Sequence, residues 1–133
     1  MPKKISVLIA CYNAQDFVGE AIESVLTQDW PDLELIVVDD GSTDRSFDEI
    51  SKFKDTNLTA VTQENAGHCA ACNHAYELSS GDLIKFFDAD DILMPGFLKL
   101  QADRLRDRTD AVAMGEWARF YETPDKADFV NRD

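Results

Sequence analysis

The 133-residue sequence is poor in cysteine, in basic residues and in long apolar runs, and each shortage excludes a class of protein. Three cysteines, an odd number, do not form the disulfide framework of a small secreted domain. Only 13 basic residues oppose 26 acidic ones, and this net charge of −13 excludes a nucleic-acid partner, which needs clustered positive charge. No apolar run approaches the roughly 18 residues that cross a bilayer. We therefore expect a cytoplasmic protein without a membrane span, with peripheral attachment at the inner membrane face as the alternative location.

Apolar residues make up 44% of the chain, enough for a packed core, and they follow alternating strand and helix patterns. Strands are predicted over residues 5–10, 35–38, 58–62, 83–87 and, more exposed, 111–120. Helices are predicted over residues 16–28, from Ser42 or Thr43 to about 53, around Ala71, Ala75 and Leu78, and from Pro95 onward, with Phe17, Phe47 and Leu98 among the inward-facing residues. Strands that are apolar on both faces belong to parallel sheets. The pattern predicts one domain over residues 1–133, a doubly wound, mainly parallel three-layer α/β/α sheet of the Rossmann-like kind.

Polar residues follow the carboxyl end of each predicted strand, where ligands bind in such sheets. Residues 11–13, 39–42, 64–68 and 88–91 occupy these four ends. The return connections contain only generic turn residues. Any chemistry is therefore expected along one edge of the sheet.

Three carboxylates, Asp88, Asp90 and Asp91, follow the fourth strand within four residues, and we call this group the acidic corner. Two such charges about 4 Å apart repel by about 4 kcal/mol at an effective dielectric of 20, and a bound dication would reverse the sign. Oxygen ligands suit Mg²⁺ or Mn²⁺ bridging a diphosphate. The competing interpretation is a solvated acidic turn before Pro95. Because the group follows an apolar strand, the sequence favours the metal site.

Asp39 and Asp40 end the second strand in the segment VVDDGSTD. Turn formation and helix capping explain part of this segment. A second interpretation is that one of these carboxylates accepts a hydrogen bond from a ligand N–H, such as N3 of a pyrimidine. Tyr12, at the neighbouring strand end, could offer a face for stacking, although a tyrosine there is also typical of a core.

Cys69 and Cys72 form a CxxC pair between His68 and His74, which can indicate a redox pair or half of a zinc site. A structural zinc site needs four ligands, and only Cys11 and the two histidines remain as candidates. The favoured interpretation is therefore that both cysteines are small apolar residues on a helix.

Four segments in order, SVLIACYN, DLELIVVDDGSTD, QENAG and KFFDADDILMPG, resemble the family 2 glycosyltransferases of the GT-A fold. The resemblance covers residues 5 to about 100. It implies an inverting enzyme that transfers a sugar from a nucleotide diphosphate sugar, often a UDP-sugar, to an acceptor hydroxyl, as in the synthesis of cell-envelope polysaccharides. The implied cofactor is Mn²⁺ or Mg²⁺ at the DxD motif, and the implied partners are the sugar nucleotide and an unknown saccharide, lipid-linked or protein acceptor.

The resemblance also implies roles for individual residues. Asp90 is the expected metal ligand, supported by Asp88 and Asp91, while Asp40 would recognise the base and Tyr12 would stack on it. The expected nucleotide contacts are Ala10, Tyr12, Asn13, Asp39, Asp40, Asn65, Gly67, Asp88, Ala89 and Asp90. The catalytic base is expected beyond residue 133, in an acceptor-binding half, so this chain would be the donor-binding half. One departure is Cys72, which stands before Asn73 where relatives commonly carry an arginine.

Two other functions stay open at this stage. A nucleotide-binding or assembly module without catalysis would show the same strand ends. A Mg²⁺-dependent phosphotransferase also uses a DxD segment, but usually after the first strand of its sheet rather than the fourth.

Overall fold

A computed structural model of the protein describes residues 2–120, 123–126 and 128–129. Its strands are β1 (Ile5–Cys11), β2 (Leu33–Asp39), β3 (Leu58–Thr62), β4 (Leu83–Asp88), β5 (Ala118–Arg119) and β6 (Asp128–Phe129). Its helices are α1 (Val18–Leu26), α2 (Ser46–Ser51), α3 (His68–Leu78) and α4 (Phe97–Leu105), and a 3₁₀ turn spans Pro124–Lys126. The alternation of strand and helix over the first hundred residues confirms the predicted α/β class.

The main sheet has the order β3-β2-β1-β4, and its strands are all parallel. The chain moves from β1 outward to β3 and then returns to the other side of β1. The strand order therefore reverses between β1 and β4, and the crevice at the carboxyl ends of these two strands is where doubly wound sheets bind ligands.

Helices cover both faces of this sheet, as the three-layer prediction requires. On one face α1, α2 and α4 bury Val18, Ile22, Val25, Ile50, Leu98 and Ala102 against inward residues of β1 and β2. On the other face α3 packs Ala71 and Ala75 against Leu8, Ile36 and Val38. The strands β1 and β2 are buried on both faces because their sequences are apolar at every position that meets a helix.

Helix α1 is shorter than predicted, and Phe17 is not part of its buried stripe. Val18, Ala21, Ile22 and Val25 face the sheet, whereas Phe17 precedes the helix and is 57% exposed. Val18, and not Phe17, is the first residue of the buried stripe, three and four residues before Ala21 and Ile22.

Helix α2 begins at Ser46, so the prediction that Ser42 or Thr43 caps it is wrong. The Ser42 hydroxyl donates to Asp39 Oδ1 at 2.5 Å, and the Thr43 N–H donates to Asn13 Oδ1 at 2.8 Å. Both residues are held by other parts of the chain and do not start a helix. Phe47, expected to face inward, is exposed, and Ile50 fills the core position alone.

The other two helices each differ from prediction at one end. In α3, Ala71 and Ala75 are buried as predicted, but Leu78 in the last turn is exposed. Helix α4 starts at Phe97 instead of Pro95, because Gly96 has a φ of +78°, in the left-handed region that interrupts a helix.

The predicted fifth strand over residues 111–120 is wrong. Only Ala118–Arg119 is a strand, and it pairs antiparallel with β6 outside the main sheet. Val112 and Met114, the apolar residues behind the prediction, are 88% and 83% exposed. Among the described residues, β4 pairs only with β1, so residues 111–117 do not add a strand to the main sheet.

Candidate functional site

The predicted strand ends meet at one edge of the sheet. Cys11 of β1 is in register with Asp39 of β2, Asp39 with Thr62 of β3, and Ala10 of β1 with Asp88 of β4. The loops that follow these residues therefore start side by side. This arrangement places the polar segments of the sequence around the crevice between β1 and β4.

Asn13 joins the loop after β1 to the loop after β2. Its side-chain Oδ1 accepts the backbone N–H groups of Thr43 at 2.8 Å and Asp44 at 3.3 Å, and its own N–H donates to Ser42 Oγ at 3.0 Å. Asn13 adopts a φ of +48°, a conformation that asparagine tolerates better than most residues. The two loops are thus held as one unit.

Ser46 makes a second connection between these loops, one that the sequence analysis missed. The residue is fully buried, and its hydroxyl accepts the Ala14 N–H at 2.8 Å while donating to Asp44 Oδ1 at 2.6 Å. The available signal was Asp44 two residues before a serine, a spacing at which an aspartate often bonds to the backbone ahead of it.

Asp39 is buried at 2% exposure and holds the turn that follows β2. Its carboxylate accepts the Ser42 N–H at 3.2 Å, the Ser42 hydroxyl, and the Thr62 hydroxyl at 3.4 Å. These contacts correspond to the turn-forming interpretation of the VVDDGSTD segment.

Asp40 is equally buried and organises the loop between β3 and α3. Its Oδ1 accepts from Gln63 Nε2 at 2.8 Å and the Ala66 N–H at 2.9 Å, and its Oδ2 accepts from the Gly67 N–H at 2.9 Å and Asn65 Nδ2 at 3.2 Å. A carboxylate offers about four acceptor positions, and all of them are used here. Burial alone would raise the pKa of Asp40, but the donors from Ala66, Gln63 and Gly67 outweigh it and lower the pKa.

His74, which the sequence analysis considered only as a candidate zinc ligand, extends this network. Its Nδ1 lies 2.7 Å from Gln63 Oε1. Because Gln63 uses its amide nitrogen to donate to Asp40, its oxygen must accept, so His74 carries a proton on Nδ1. The loop after β3 is therefore connected to α3 as well as to β2.

Tyr12 presents a free face at the edge of the site. Its side chain is 52% exposed, although it directly follows the fully buried Cys11. The interpretation of Tyr12 as a core residue is wrong, and its ring is accessible to a ligand.

The acidic corner lies at the end of β4, where Asp88 is in register with Ala10, two residues before Tyr12. Asp88, Asp90 and Asp91 are exposed, while Ala89 between them is 7% exposed and anchors the turn. In residues 2–120, 123–126 and 128–129, no three His, Cys, Asp or Glu side chains are placed to hold a metal ion together. A cation at this corner would thus need further ligands from outside the described residues.

The electrostatics of the acidic corner match the repulsion expected from its sequence. Partial desolvation by the surrounding turn raises the pKa of Asp91 although the residue is exposed, and the charges of Asp88 and Asp90 raise it further. Lys85 opposes this effect, but its own pKa is lowered by burial, and its Nζ donates to Gln101 at 3.0 Å. The corner therefore remains a region of unbalanced negative charge.

Cys69 and Cys72 lie on α3 near the acidic corner. Both lie on a helix as predicted; Cys69 is exposed and Cys72 half-buried. Cys72 Sγ lies 3.5 Å from His68 Nε2, and burial raises the pKa of its thiol, as do the nearby Cys69 and Asp88. Both thiols are free, and with no three-ligand group in the described part of the chain, a zinc module is not supported.

Across the described residues, no helix combines the length and the apolar character that crossing a membrane requires.

Comparisons with known proteins agree with this geometry. Residues 6–130 match the family described as Glycosyl transferase family 2. The chain is 40% identical over 125 residues to the uncharacterized glycosyltransferase YibD of Escherichia coli K12, covering 90% of this chain and 36% of YibD. It is 36% identical over 88 residues to WfaP of Escherichia coli, named a UDP-Glc:alpha-D-GlcNAc-diphosphoundecaprenol beta-1,3-glucosyltransferase, covering 65% of this chain and 35% of WfaP.

Solved structures show the same fold. TarS 1–349 of S. aureus in complex with UDP-GlcNAc superposes with a TM-score of 0.72 at 31% identity, covering 77% of this chain and 31% of TarS 1–349. The mannosyltransferase PcManGT of Pyrobaculum calidifontis in complex with GDP-Man and Mn²⁺ gives a TM-score of 0.72 at 29% identity, covering 82% of this chain and 34% of PcManGT. The chain thus spans about a third of the length of these relatives. With this fold, these strand ends and a family match over nearly its whole length, the chain belongs to glycosyltransferase family 2.

Proposed function

We propose that this chain forms the donor-binding part of an inverting glycosyltransferase, which transfers a sugar from a nucleotide diphosphate sugar to an acceptor hydroxyl. The observation that carries the proposal is the meeting of the polar loops after β1, β2 and β3 with the acidic corner after β4, at the crevice where the strand order reverses. A UDP-sugar is the first donor to test, because TarS binds UDP-GlcNAc, and a GDP-sugar is the second, because PcManGT binds GDP-Man.

A divalent cation fits the acidic corner. The available donors are carboxylate oxygens, which Mg²⁺ and Mn²⁺ prefer. Desolvation and, after it, the charges of Asp88 and Asp90 raise the pKa of Asp91, and a bound cation would oppose both effects. Asp90 would hold the cation, with Asp88 and Asp91 supporting it, and diphosphate oxygens would complete its ligands. When bound, the cation supplies Lewis acidity that neutralises the charge developing on the departing diphosphate.

The chain's own residues would bind and orient the nucleotide. Tyr12 would stack on the base through its exposed ring, with Ala10 and Ala89 offering small side chains beside it. Asp40 would accept a base N–H in place of its longest bond, the one at 3.2 Å from Asn65. Asn13 and Asp39 would act by holding the two loops around the nucleotide, and Gly67 by fixing the third.

The acceptor is the least constrained part of the proposal. A lipid-linked saccharide is the first class to test, because the name of WfaP specifies a diphosphoundecaprenol-linked acceptor. We propose that the general base lies beyond residue 133, and none is proposed among the described residues.

Thermal unfolding with UDP and with GDP, each with and without Mn²⁺, tests the proposal. Ligand that binds only the folded state raises the melting temperature, so we expect a rise with one nucleotide that grows when Mn²⁺ is added. Asp90→Asn should abolish the Mn²⁺-dependent part. Asp32→Asn removes the same charge from an exposed residue at the opposite end of the sheet and should leave the shift unchanged.

Two outcomes decide against parts of the proposal. If neither nucleotide raises the melting temperature with or without Mn²⁺, the donor-binding function is wrong. If nucleotide and Mn²⁺ bind but the full-length protein transfers no sugar, a non-catalytic nucleotide-binding module is the better description. A phosphotransferase is disfavoured by the position of the acidic corner on β4 and by the family match.

A further inference from the structure

The segment that carries the acidic corner has no regular structure of its own. Residues 89–96, between β4 and α4, form neither helix nor strand. Within its first turn the Asp91 N–H donates to the Asp88 carbonyl at 3.2 Å. Ala89 and Leu93 are buried at 7% and 5% exposure, so apolar contacts fix the segment at two points. Other groups must determine the direction of its backbone.

Helix α1 and the residues just after it supply those groups from more than sixty residues away in sequence. Ser24 Oγ accepts the Leu93 N–H at 3.0 Å while donating to the Ala21 carbonyl at 2.8 Å. The Ser24 hydroxyl therefore joins the segment to the last turns of α1.

Gln28 makes the second attachment and is itself 8% exposed. Its Nε2 donates to the Met94 carbonyl at 2.9 Å and lies 3.4 Å from the Leu93 carbonyl, and its Oε1 accepts the Leu98 N–H at 3.3 Å. The same Nε2 lies 3.1 Å from the Ser24 carbonyl. A buried amide with both ends bonded tolerates little displacement of its partners, because an unpaired buried polar group costs about 1–3 kcal/mol.

We propose that Ser24 and Gln28 are positioning residues for the acidic corner. Strand β4 fixes Asp88 on one side. On the other, Ser24 of α1 and Gln28 just beyond its end fix Leu93 and Met94, so Asp90 and Asp91 are held between these attachments. Neither Ser24 nor Gln28 reaches the ligand; they act through the backbone that presents Asp90. This inference rests on the proposed function, since it assigns the corner a bound cation.

The test compares Ser24→Ala and Gln28→Met with wild type, and Thr27→Ala is the matched control. Thr27 donates its hydroxyl to the Glu23 carbonyl at 2.8 Å at the end of the same helix but is not bonded to the segment. Calorimetry measures UDP affinity with and without Mn²⁺, and amide hydrogen exchange of Leu93 is followed in protein without ligands.

We expect faster exchange of the Leu93 amide in Ser24→Ala and Gln28→Met. The Mn²⁺-dependent gain in UDP affinity should fall about tenfold, the usual cost of losing a group that orients a metal ligand. Affinity for UDP alone should not change. Ser24→Thr, which keeps the hydroxyl, should restore both properties, and Thr27→Ala should match wild type. If Gln28→Met does not fold, the comparison of Ser24→Ala with Ser24→Thr is sufficient to test the inference.

The inference is overturned if Leu93 exchanges faster but the Mn²⁺-dependent gain is unchanged, because the two residues would then only stabilise the fold. Unchanged exchange in Ser24→Ala also overturns it. A wild-type protein that binds UDP or GDP no better with Mn²⁺ overturns the cation in the proposed function instead, and the exchange measurement still shows whether α1 holds the segment.

Discussion

The Gly67 N–H donates to Asp40 Oδ2 at 2.9 Å, so a carboxylate at the end of β2 holds the residue that immediately precedes α3. The adjacent Ala66 N–H donates to the other oxygen of the same carboxylate. Asp40 therefore connects the second and third crossovers of the sheet, and its removal should be felt in the stability of the fold.

Asp40→Asn should lower the free energy of unfolding by about 2 kcal/mol, because one amide group replaces an oxygen that accepts buried N–H donors. Urea denaturation at neutral pH measures the loss. Asp48→Asn is the control, since Asp48 is exposed and its contact with Arg45 is 3.7 Å long. Equal losses in the two variants would contradict the structural role of Asp40.

The stabilisation by Asp40 should depend on pH in one direction. Its pKa is lowered in the folded protein from the ordinary value of 3.8, so in acid the unfolded chain takes up the proton first. The difference in unfolding free energy between wild type and Asp40→Asn should have its full size above pH 3.8 and should become smaller as the pH falls below that value. Denaturation curves collected at a series of pH values measure this difference, and a gap that widens in acid would refute the assignment.

Gly41→Ala should destabilise the protein by about 1–3 kcal/mol and weaken nucleotide binding. Gly41 has a φ of +68°, and an added Cβ would lie 2.8 Å from the backbone nitrogen of Asn65. Gly19→Ala is the matched control, because a Cβ there meets nothing within 4 Å and lies in α1. The control should gain up to about 1 kcal/mol from helix propensity. Thermal unfolding of both variants measures the contrast, and equal effects would exclude the close approach to Asn65.

Tyr12→Ala should weaken binding of UDP by about tenfold, within the range of about 1–3 kcal/mol found for stacking of a base on an aromatic ring. Tyr12→Phe keeps the ring and should bind like wild type. Calorimetry at fixed Mn²⁺ gives both affinities. If the phenylalanine variant is as weak as the alanine variant, the hydroxyl and not the ring face contributes to binding.

The three cysteines should react with a thiol reagent in a fixed order. Cys69 is exposed, Cys72 is half-buried with a raised pKa, and burial raises the pKa of Cys11 to about 11. Because the thiolate is the reactive form, Cys69 should be labelled first, Cys72 more slowly, and Cys11 only after unfolding. Peptide mass mapping over time gives the order, and early labelling of Cys11 would contradict its burial.

The strands were predictable because their signal is local. Segments such as ISVLIA are apolar at nearly every position, which suits a strand covered on both sides, and the observed bounds of β1 to β4 differ from the predicted ones by at most two residues. The start of α2 was not predictable in this way. Ser42 and Thr43 look like helix caps, but Asn13, about thirty residues earlier, uses their backbone and side chains. The fifth strand failed for a related reason, since a strand also needs a neighbour in register.

The candidate site also has a part that could be predicted from local sequence pattern and a part that depends on contacts between distant residues. Which residues stand at strand ends follows from the pattern, and the registers bring Ala10, Cys11, Asp39 and Asp88 together as expected. The attachments that hold the loops, such as Ser24 to Leu93 and His74 to Gln63, join residues that no periodicity relates. They could be found only once the helices were placed against the sheet.

The attachment of Asn13 to Thr43 and Asp44 has a thermodynamic consequence for ligand capture. Two loops that are already ordered lose little further conformational freedom when a nucleotide arrives, so the entropy of arranging them belongs to folding and not to association. Substitutions of Asn13 should therefore reduce affinity through a less favourable binding entropy, with the binding enthalpy of the remaining contacts largely retained.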